Sequence, residues 1–302
     1  MGVSEAFYIP AALALIADYH TGPTRSRAVG LHQMAIYIGI IIGGFSGYAA
    51  DSPSLGWRWA FDSAGIVGMC YAIPLFFLLR DAPRNETGAA GEAAGEKTSV
   101  GGALGELLGN KYFIMLAVYF TLPGMAGWVI KDWMPAILKH QFDIGQGIAG
   151  VSAALYVNLA ALVGAVLGGF LADRWMRRSN RGRIYTSALG MCLVIPALFG
   201  VGNAWTLAVA IAFLMLFGIG WGFFDCNNMP ILCQIVRPRL RATGYGIFNM
   251  VGTALGGFAN LGVGVMRDRN IPTNIIFLTF ALLCVLSAVL VLCIRPNEKL
   301  LK

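Results

Sequence analysis

Charge is what this sequence has least of. Asp, Glu, Lys and Arg make up 12% of its 302 residues, half of the roughly 25% that a water-facing surface normally carries. That shortage excludes a water-soluble globular fold, an intrinsically disordered chain and most nucleic-acid binders. Cysteine chemistry is missing as well. The six cysteines, Cys70, Cys192, Cys226, Cys233, Cys284 and Cys293, all lie in apolar stretches and none forms C-x-x-C. Neither a disulfide framework nor a metal site is therefore expected. Met1 leads straight into apolar sequence with no basic stretch, so no secretory signal peptide is expected. There is no H-E-x-x-H and no paired G-x-G-D, and no cofactor is expected.

What the sequence does contain is apolar surface. Hydrophobic residues make up 57% of the chain, about 172 residues, and the mean hydropathy is +0.69. At about 20 residues per membrane helix, that is enough for eight or nine spans. Nine apolar segments can be marked, at 2–19, 27–50, 58–79, 112–138, 146–172, 183–202, 205–235, 242–266 and 272–294. All are expected to be helices, because a backbone exposed to lipid must satisfy its own hydrogen bonds. Residues 81–111, rich in Gly, Ala and Glu, are expected to form a flexible linker. The layout is then three helices (1–80), a linker (81–111) and six helices (112–302).

Basic residues set the orientation. Seventeen of the 22 Lys and Arg residues fall around 18–27, 80–111, 173–183, 237–241 and 295–302, and five on the opposite side. This is the positive-inside bias. It implies a cytoplasmic C-terminus and linker in a plasma (inner) membrane, and it explains the net charge of +7 without a nucleic acid. An odd number of spans then puts Met1 outside. The first segment, Gly2 to Ala17, is 16 residues long, short for a span, and looks like a helix that begins abruptly.

An internal repeat relates segments one and two to segments seven and eight. Glu5 precedes Pro10 by five residues, and Asp225 precedes Pro230 by five. Each copy continues into a basic loop ending in Arg-Ala-x-Gly (Arg27 to Gly30, Arg241 to Gly244) and then into Gly-Gly-Phe (Gly43 to Phe45, Gly256 to Phe258). Both copies run in the same direction, so the two halves should be related by an axis along the membrane normal. Segments seven and eight are helices four and five of a six-helix half. Segments one and two should be the same helices of the other half, which would then lack its first three.

The stretch Gly169-Phe170-Leu171-Ala172-Asp173-Arg174-Trp175-Met176-Arg177-Arg178 resembles the loop signature G-x-x-x-D-[RK]-x-G-[RK]-[RK] of the major facilitator superfamily, between helices eight and nine, with Met176 in place of the glycine. Gly2 to Tyr8, Ile16-Ala17-Asp18 and Arg25-Ser26-Arg27 are similar to helix four and its loop in Spinster-like members. Trp133-Met134-Pro135 resembles the W-x-P of organic-anion symporters in helix seven. The G-P signature of drug antiporters in helix five is absent. The resemblance implies an all-α integral membrane bundle of nine helices: an incomplete N-terminal half and a complete six-helix C-terminal half. It implies secondary active transport by alternating access, with protons and a small-molecule substrate as partners in a lipid bilayer, and a monomer when complete. With half the cavity wall absent, the chain alone is not expected to transport.

Glu5 and Asp225 lie about 18–20 Å along the helix from the arginine-rich interface. An acid at that depth faces a polar cavity or a partner and can exchange a proton as access alternates, so both are candidates for proton coupling. Through the resemblance, helices one, four, seven and ten line the substrate cavity, which points to Tyr8, Tyr119, Asn227 and Asn228. Helix–helix hydrogen bonding is the alternative role for each of these. Arg27, Asp173, Arg174 and Arg241, at helix ends, would latch the two halves as a cytoplasmic gate. The substrate class implied is a sugar, sugar acid or other organic anion, with export of an amphiphile such as a lysolipid as the alternative. A membrane-embedded hydrolase is the competing class, from Gly44-Phe45-Ser46-Gly47, but none of His20, His32 and His140 falls in a later span to serve as base. Glycines at helical spacing, Gly39/Gly43/Gly47, Gly164/Gly168 and Gly252/Gly256, are expected to be close-packing faces.

Overall fold

The computed structural model describes residues 12, 15, 16, 19, 25–80, 100–237 and 240–297, with side chains except at 25–31, 33, 34, 100 and 242. The chain divides into two compact units, Met1–Lys97 and Thr98–Lys302. Among the described residues, seven helices are long and apolar enough to cross a membrane. They coincide, to within about four residues, with the seven apolar segments read from 58–79 onward. Of segment 2–19, only Ala12, Leu15, Ile16 and Tyr19 are described, and all four are helical.

In the first unit, α1 (Arg25–Gly44), α2 (Ser46–Asp51) and α3 (Gly56–Leu78) follow one another. The apolar segment 27–50 is thus broken at Phe45, after Gly43 and Gly44. The Phe45 amide bonds to the Ile42 carbonyl and Tyr48 to that of Phe45, both at 3.0 Å, the tighter three-residue spacing that interrupts an α-helix. The equivalent Gly256-Gly257-Phe258 runs unbroken through its helix. None of the described residues of α3 is buried, which suits a helix solvated by lipid rather than by protein.

The second unit holds α4 (Val100–Gly109), α5 (Lys111–Phe142), α6 (Gln146–Met176), α7 (Gly182–Gly202), α8 (Leu207–Ile235), α9 (Arg241–Asp268) and α10 (Thr273–Cys293). Helix α4 corrects the expectation of a flexible linker over the last part of 81–111, residues 100–109; residues 81–99 lie outside the described residues. Its glycines suggested flexibility, but Ala103 and Leu107 recur at helical spacing and are buried, at 8% and 1% exposure. Glu106 on the other face pairs with Arg237 at 3.1 Å. Two helix starts, those of α5 and α8, carry side-chain caps. The Asn110 side chain accepts from the amides of Tyr112 and Phe113 at 3.0 and 3.4 Å, and that of Thr206 accepts from Val209 at 3.3 Å.

Helix α8 is the centre of this unit, packed most extensively on α6 and α7. In lipid there is no hydrophobic drive to press helices together, so close approach depends on small residues. Here the approach is backbone to backbone. Gly164 faces the Ile219 carbonyl, Gly218 that of Val157, and Gly222 that of Ala161. A methyl group on Gly168 would lie 2.9 Å from Phe223 Cα, and one on Gly190 2.8 Å from the Gly220 carbonyl. On the other side, α9 receives the aromatic ridge of α5. A methyl on Gly252 would stand 3.1 Å from the Phe120 ring, and one on Gly256 would overlap the Trp128 indole. Gly39 and Gly43 do not repeat this pattern: no atom of the described residues comes within 4 Å of a methyl placed there.

Gly222→Leu should push α8 off α6 and lower thermal stability by about 1–3 kcal/mol or more, as overpacking does. Gly257→Leu, with open space around it, should be tolerated. Melting curves and size-exclusion profiles of detergent-purified protein check this; equal behaviour of the two variants would contradict the backbone contact.

Candidate functional site

The polar residues of α8 gather around one turn, Asp225-Cys226-Asn227-Asn228-Met229-Pro230. At about 1.5 Å per residue, Asp225 lies about 15 Å from the C-terminal end of α8 and about 27 Å from its start. Pro230 has no amide, so the Cys226 carbonyl four residues earlier lacks its usual helical donor. Asn227, 2% exposed, donates its side-chain amide to the Phe223 carbonyl at 2.9 Å and lies 3.2 Å from the Cys226 sulfur. Asn228 is 1% exposed, and neither atom of its amide has a hydrogen-bond partner.

Helices α5, α7 and α10 complete the surroundings. Tyr119 of α5 is fully buried, with its ring edge-on to Phe224 at 5.3 Å. Its buried hydroxyl lies near that of Ser187 of α7, and neither has a hydrogen-bond partner among the described residues. Its carbonyl accepts from the Ser287 hydroxyl of α10 at 3.0 Å. Asn228 follows Phe224 by one turn and so shares the face of α8 that meets Tyr119. Asp225 is half-buried. Four helices thus bring a carboxylate, two carboxamides and three hydroxyls to one level of the bundle. Such groups can hold a proton and hydrogen-bond a polar solute. Among the described residues, no three His, Cys, Asp or Glu side chains gather as a metal site would require.

The structure brings some of the expected site residues together and separates others. Tyr119, Asn227 and Asn228, expected on a cavity wall, lie in the packed core of the second unit, beside Asp225. Glu5 and Tyr8 fall outside the described residues, as does the side chain of Arg27. Asp173 and Arg174 are exposed at the end of α6, and neither joins a salt bridge among the described residues. Arg241, expected as a gate residue, is committed to the end of α8. It donates through Nε to the Val236 carbonyl at 3.3 Å and through a terminal nitrogen to that of Cys233 at 3.0 Å.

Other residues hold that end as well, of which the sequence reading did not single out Asn110. Asn110 donates to the Ile235 carbonyl at 3.3 Å, and Gln234 to that of Asn180 at 3.3 Å. Arg183 reaches the Pro230 carbonyl at 3.4 Å. The position of Asn110 directly before a helical run is an N-cap signal that was available; its reach to α8 had none. At the opposite end, Lys131 sits 4.6 Å over Trp128 and Arg267 5.4 Å over Trp133. Charges lying on indole rings at a helix end are the arrangement expected at a membrane interface.

Long apolar helices packed through glycine, with buried polar groups at depth and arginines closing one end, define an integral membrane protein built as transporters are. The sequence matches the Major Facilitator Superfamily over residues 1–260, and the chain belongs to that superfamily. It is 24% identical over 269 residues to Protein spinster of Drosophila melanogaster, covering 85% of this chain and 43% of that protein. Against Protein spinster homolog 1 of Homo sapiens the identity is 26% over 287 residues, covering 89% and 54%. Against an MFS-type efflux pump of Mycolicibacterium smegmatis it is 26% over 272 residues, covering 89% and 61%. The chain spans about half the length of these relatives.

Two solved structures share the fold. One is a bacterial homologue of the human lysosomal transporter Spinster, inward-facing and unoccupied, with a TM-score of 0.73 at 18% identity over 98% of this chain and 77% of that one. The other is a D-xylose-proton symporter, with a TM-score of 0.72 at 17% identity over 95% and 67%.

Arg241→Ala should remove two bonds from the end of α8 and destabilise the protein by about 1.5–3 kcal/mol, the range for hydrogen bonds to a charged group. Arg241→Lys should lose about half as much. Thermal melts of the two variants test this; a melting point unchanged in Arg241→Ala would return Arg241 to a gating role alone.

Proposed function

We propose that this chain acts in secondary active transport by alternating access, coupling the symport of a small polar solute, such as a sugar, sugar acid or other organic anion, to protons. The observation that carries the proposal is Asp225, a half-buried carboxylate about 15 Å inside an apolar helix, two and three residues from the buried carboxamides of Asn227 and Asn228. A charge that deep is expensive unless it has work to do or a partner to hold. Glu5 occupies the matching place in the sequence repeat, so each half contributes one acid. In this reading Asp225 and Glu5 exchange the proton. Tyr8 supplies a hydrogen bond to the solute, and Tyr119, Asn227 and Asn228, buried within the second unit, join it when α8 moves against α5. Arg27, Asp173 and Arg174 close the arginine-rich end, which faces the cytoplasm of a plasma membrane.

A second reading is export of an amphiphile such as a lysolipid. The similarity to Spinster proteins over 85–89% of the chain favours it. A thermal-shift screen of purified protein separates the two. Stabilisation by sugar acids and not by lysophospholipids supports the first; the reverse supports the second.

In liposomes carrying the full-length gene product, Asp225→Asn should abolish proton-driven accumulation of the solute, down to the level of protein-free liposomes, while leaving solute exchange intact. Accumulation unchanged in the variant would refute the role of Asp225. Asn228→Leu should raise stability by about 1 kcal/mol, because it removes a buried amide with no partner, and should weaken solute binding. Isothermal titration and melting curves on that variant read both effects.

A further inference from the structure

At the arginine-rich end of the second unit, Trp175 at the close of α6, Arg178 and Ser179 in the turn and Tyr185 near the start of α7 line an open cleft of about 310 Å³. Its surroundings carry charge of one sign. Residues 173–183 hold five arginines and a single acid, Asp173. Arg181 lies 5.4 Å over the Tyr185 ring and donates to the Leu292 carbonyl at the end of α10. Its Nε is buried with no hydrogen-bond partner. Helix α7 begins at Gly182, so its positive N-terminal pole lies at this turn.

The cleft also opens onto an apolar track. Tyr185, Leu189, Cys192, Pro196 and Phe199 form an exposed row along α7 at helical spacing. The row runs for about 20 Å at 1.5 Å per residue, a length comparable to a lipid acyl chain. Nothing in the molecule covers it among the described residues, as befits a helix face turned to the bilayer.

We propose that this cleft binds the headgroup of an anionic phospholipid. Arg178 takes the phosphate oxygens, Trp175 and Tyr185 flank the glycerol, and an acyl chain lies along the row from Tyr185 to Phe199. Arginine matches phosphate in geometry as well as charge, and basic pockets between membrane helices suit anionic headgroups. A soluble phosphate compound offers the same charge but makes no use of the apolar row, and for that reason the lipid is the occupant. The site is independent of the solute and of proton coupling.

Native mass spectrometry of the purified chain tests this, with phosphatidylglycerol, phosphatidylcholine or glycerol phosphate added. One phosphatidylglycerol should be retained in preference to phosphatidylcholine. Arg178→Gln should weaken that retention about tenfold, as loss of a charge-assisted contact does, and Trp175→Leu should weaken it by a smaller factor through the lost ring contact. Arg177→Gln, exposed beside the cleft but outside its lining, should leave retention unchanged. Equal retention of the two lipids, equal loss in Arg177→Gln, or displacement of the lipid by glycerol phosphate would each overturn the proposal. Melting curves confirm that the variants are folded.

Discussion

The contact between the backbones of α6 and α8 is the constraint on which the second unit depends. Gly164 and Gly168 on α6 lie against Ile219 and Phe223 of α8, Gly218 and Gly222 on α8 lie against Val157 and Ala161 of α6, and Gly190 of α7 meets Gly220 from a third side. Within lipid the gain comes from dispersion between closely packed atoms rather than from expelled water. A single side chain at this crossing would forfeit it. The same crossing fixes the rotation of α8 about its axis. It therefore decides that Asn227 and Asn228 turn inward and that Asp225 stays half-buried.

Holding α8 this way leaves its C-terminal carbonyls to be satisfied, because the last turn of any helix has no internal donors. The protein meets the need from three elements: Asn110 from the start of α5, Arg241 from the start of α9, and the Asn297 amide, which bonds to the Gln234 carbonyl at 2.9 Å. Arg183 adds a contact to Pro230. Several arginines that set the orientation bias thus also tie helix ends together. Positive charge at the negative end of a helix dipole is favourable in its own right, so the two roles reinforce each other.

Much of this was legible in the sequence, for reasons particular to membranes. Apolar runs of about 20 residues have one structural solution in lipid, so α3 and α5 to α10 could be placed from hydropathy alone. Gly164/Gly168 and Gly252/Gly256 announced close packing by their spacing. The matching Gly218/Gly222 on α8 was as visible and passed unread. Helix α4 was hidden because its glycines outweighed the Ala103–Leu107 spacing, and tertiary burial decided the matter. Arg241 could not be distinguished from other loop arginines, since its target carbonyls come from the preceding helix end and appear only once α8 stops at Ile235. Asn228 was picked out through the resemblance, but its burial on the face of α8 that meets Tyr119 required the packing of the helices.

Membership of the Major Facilitator Superfamily and a half-buried Asp225 beside the buried Asn227–Asn228 pair are the two observations behind the proposed proton-coupled transport. The most direct measurement is solute uptake by liposomes containing the full-length gene product, with and without an imposed proton gradient. Accumulation above the external concentration only when protons flow inward is the expected result. Uptake that merely equilibrates, and does so at the same rate whatever the gradient, would contradict proton-coupled symport.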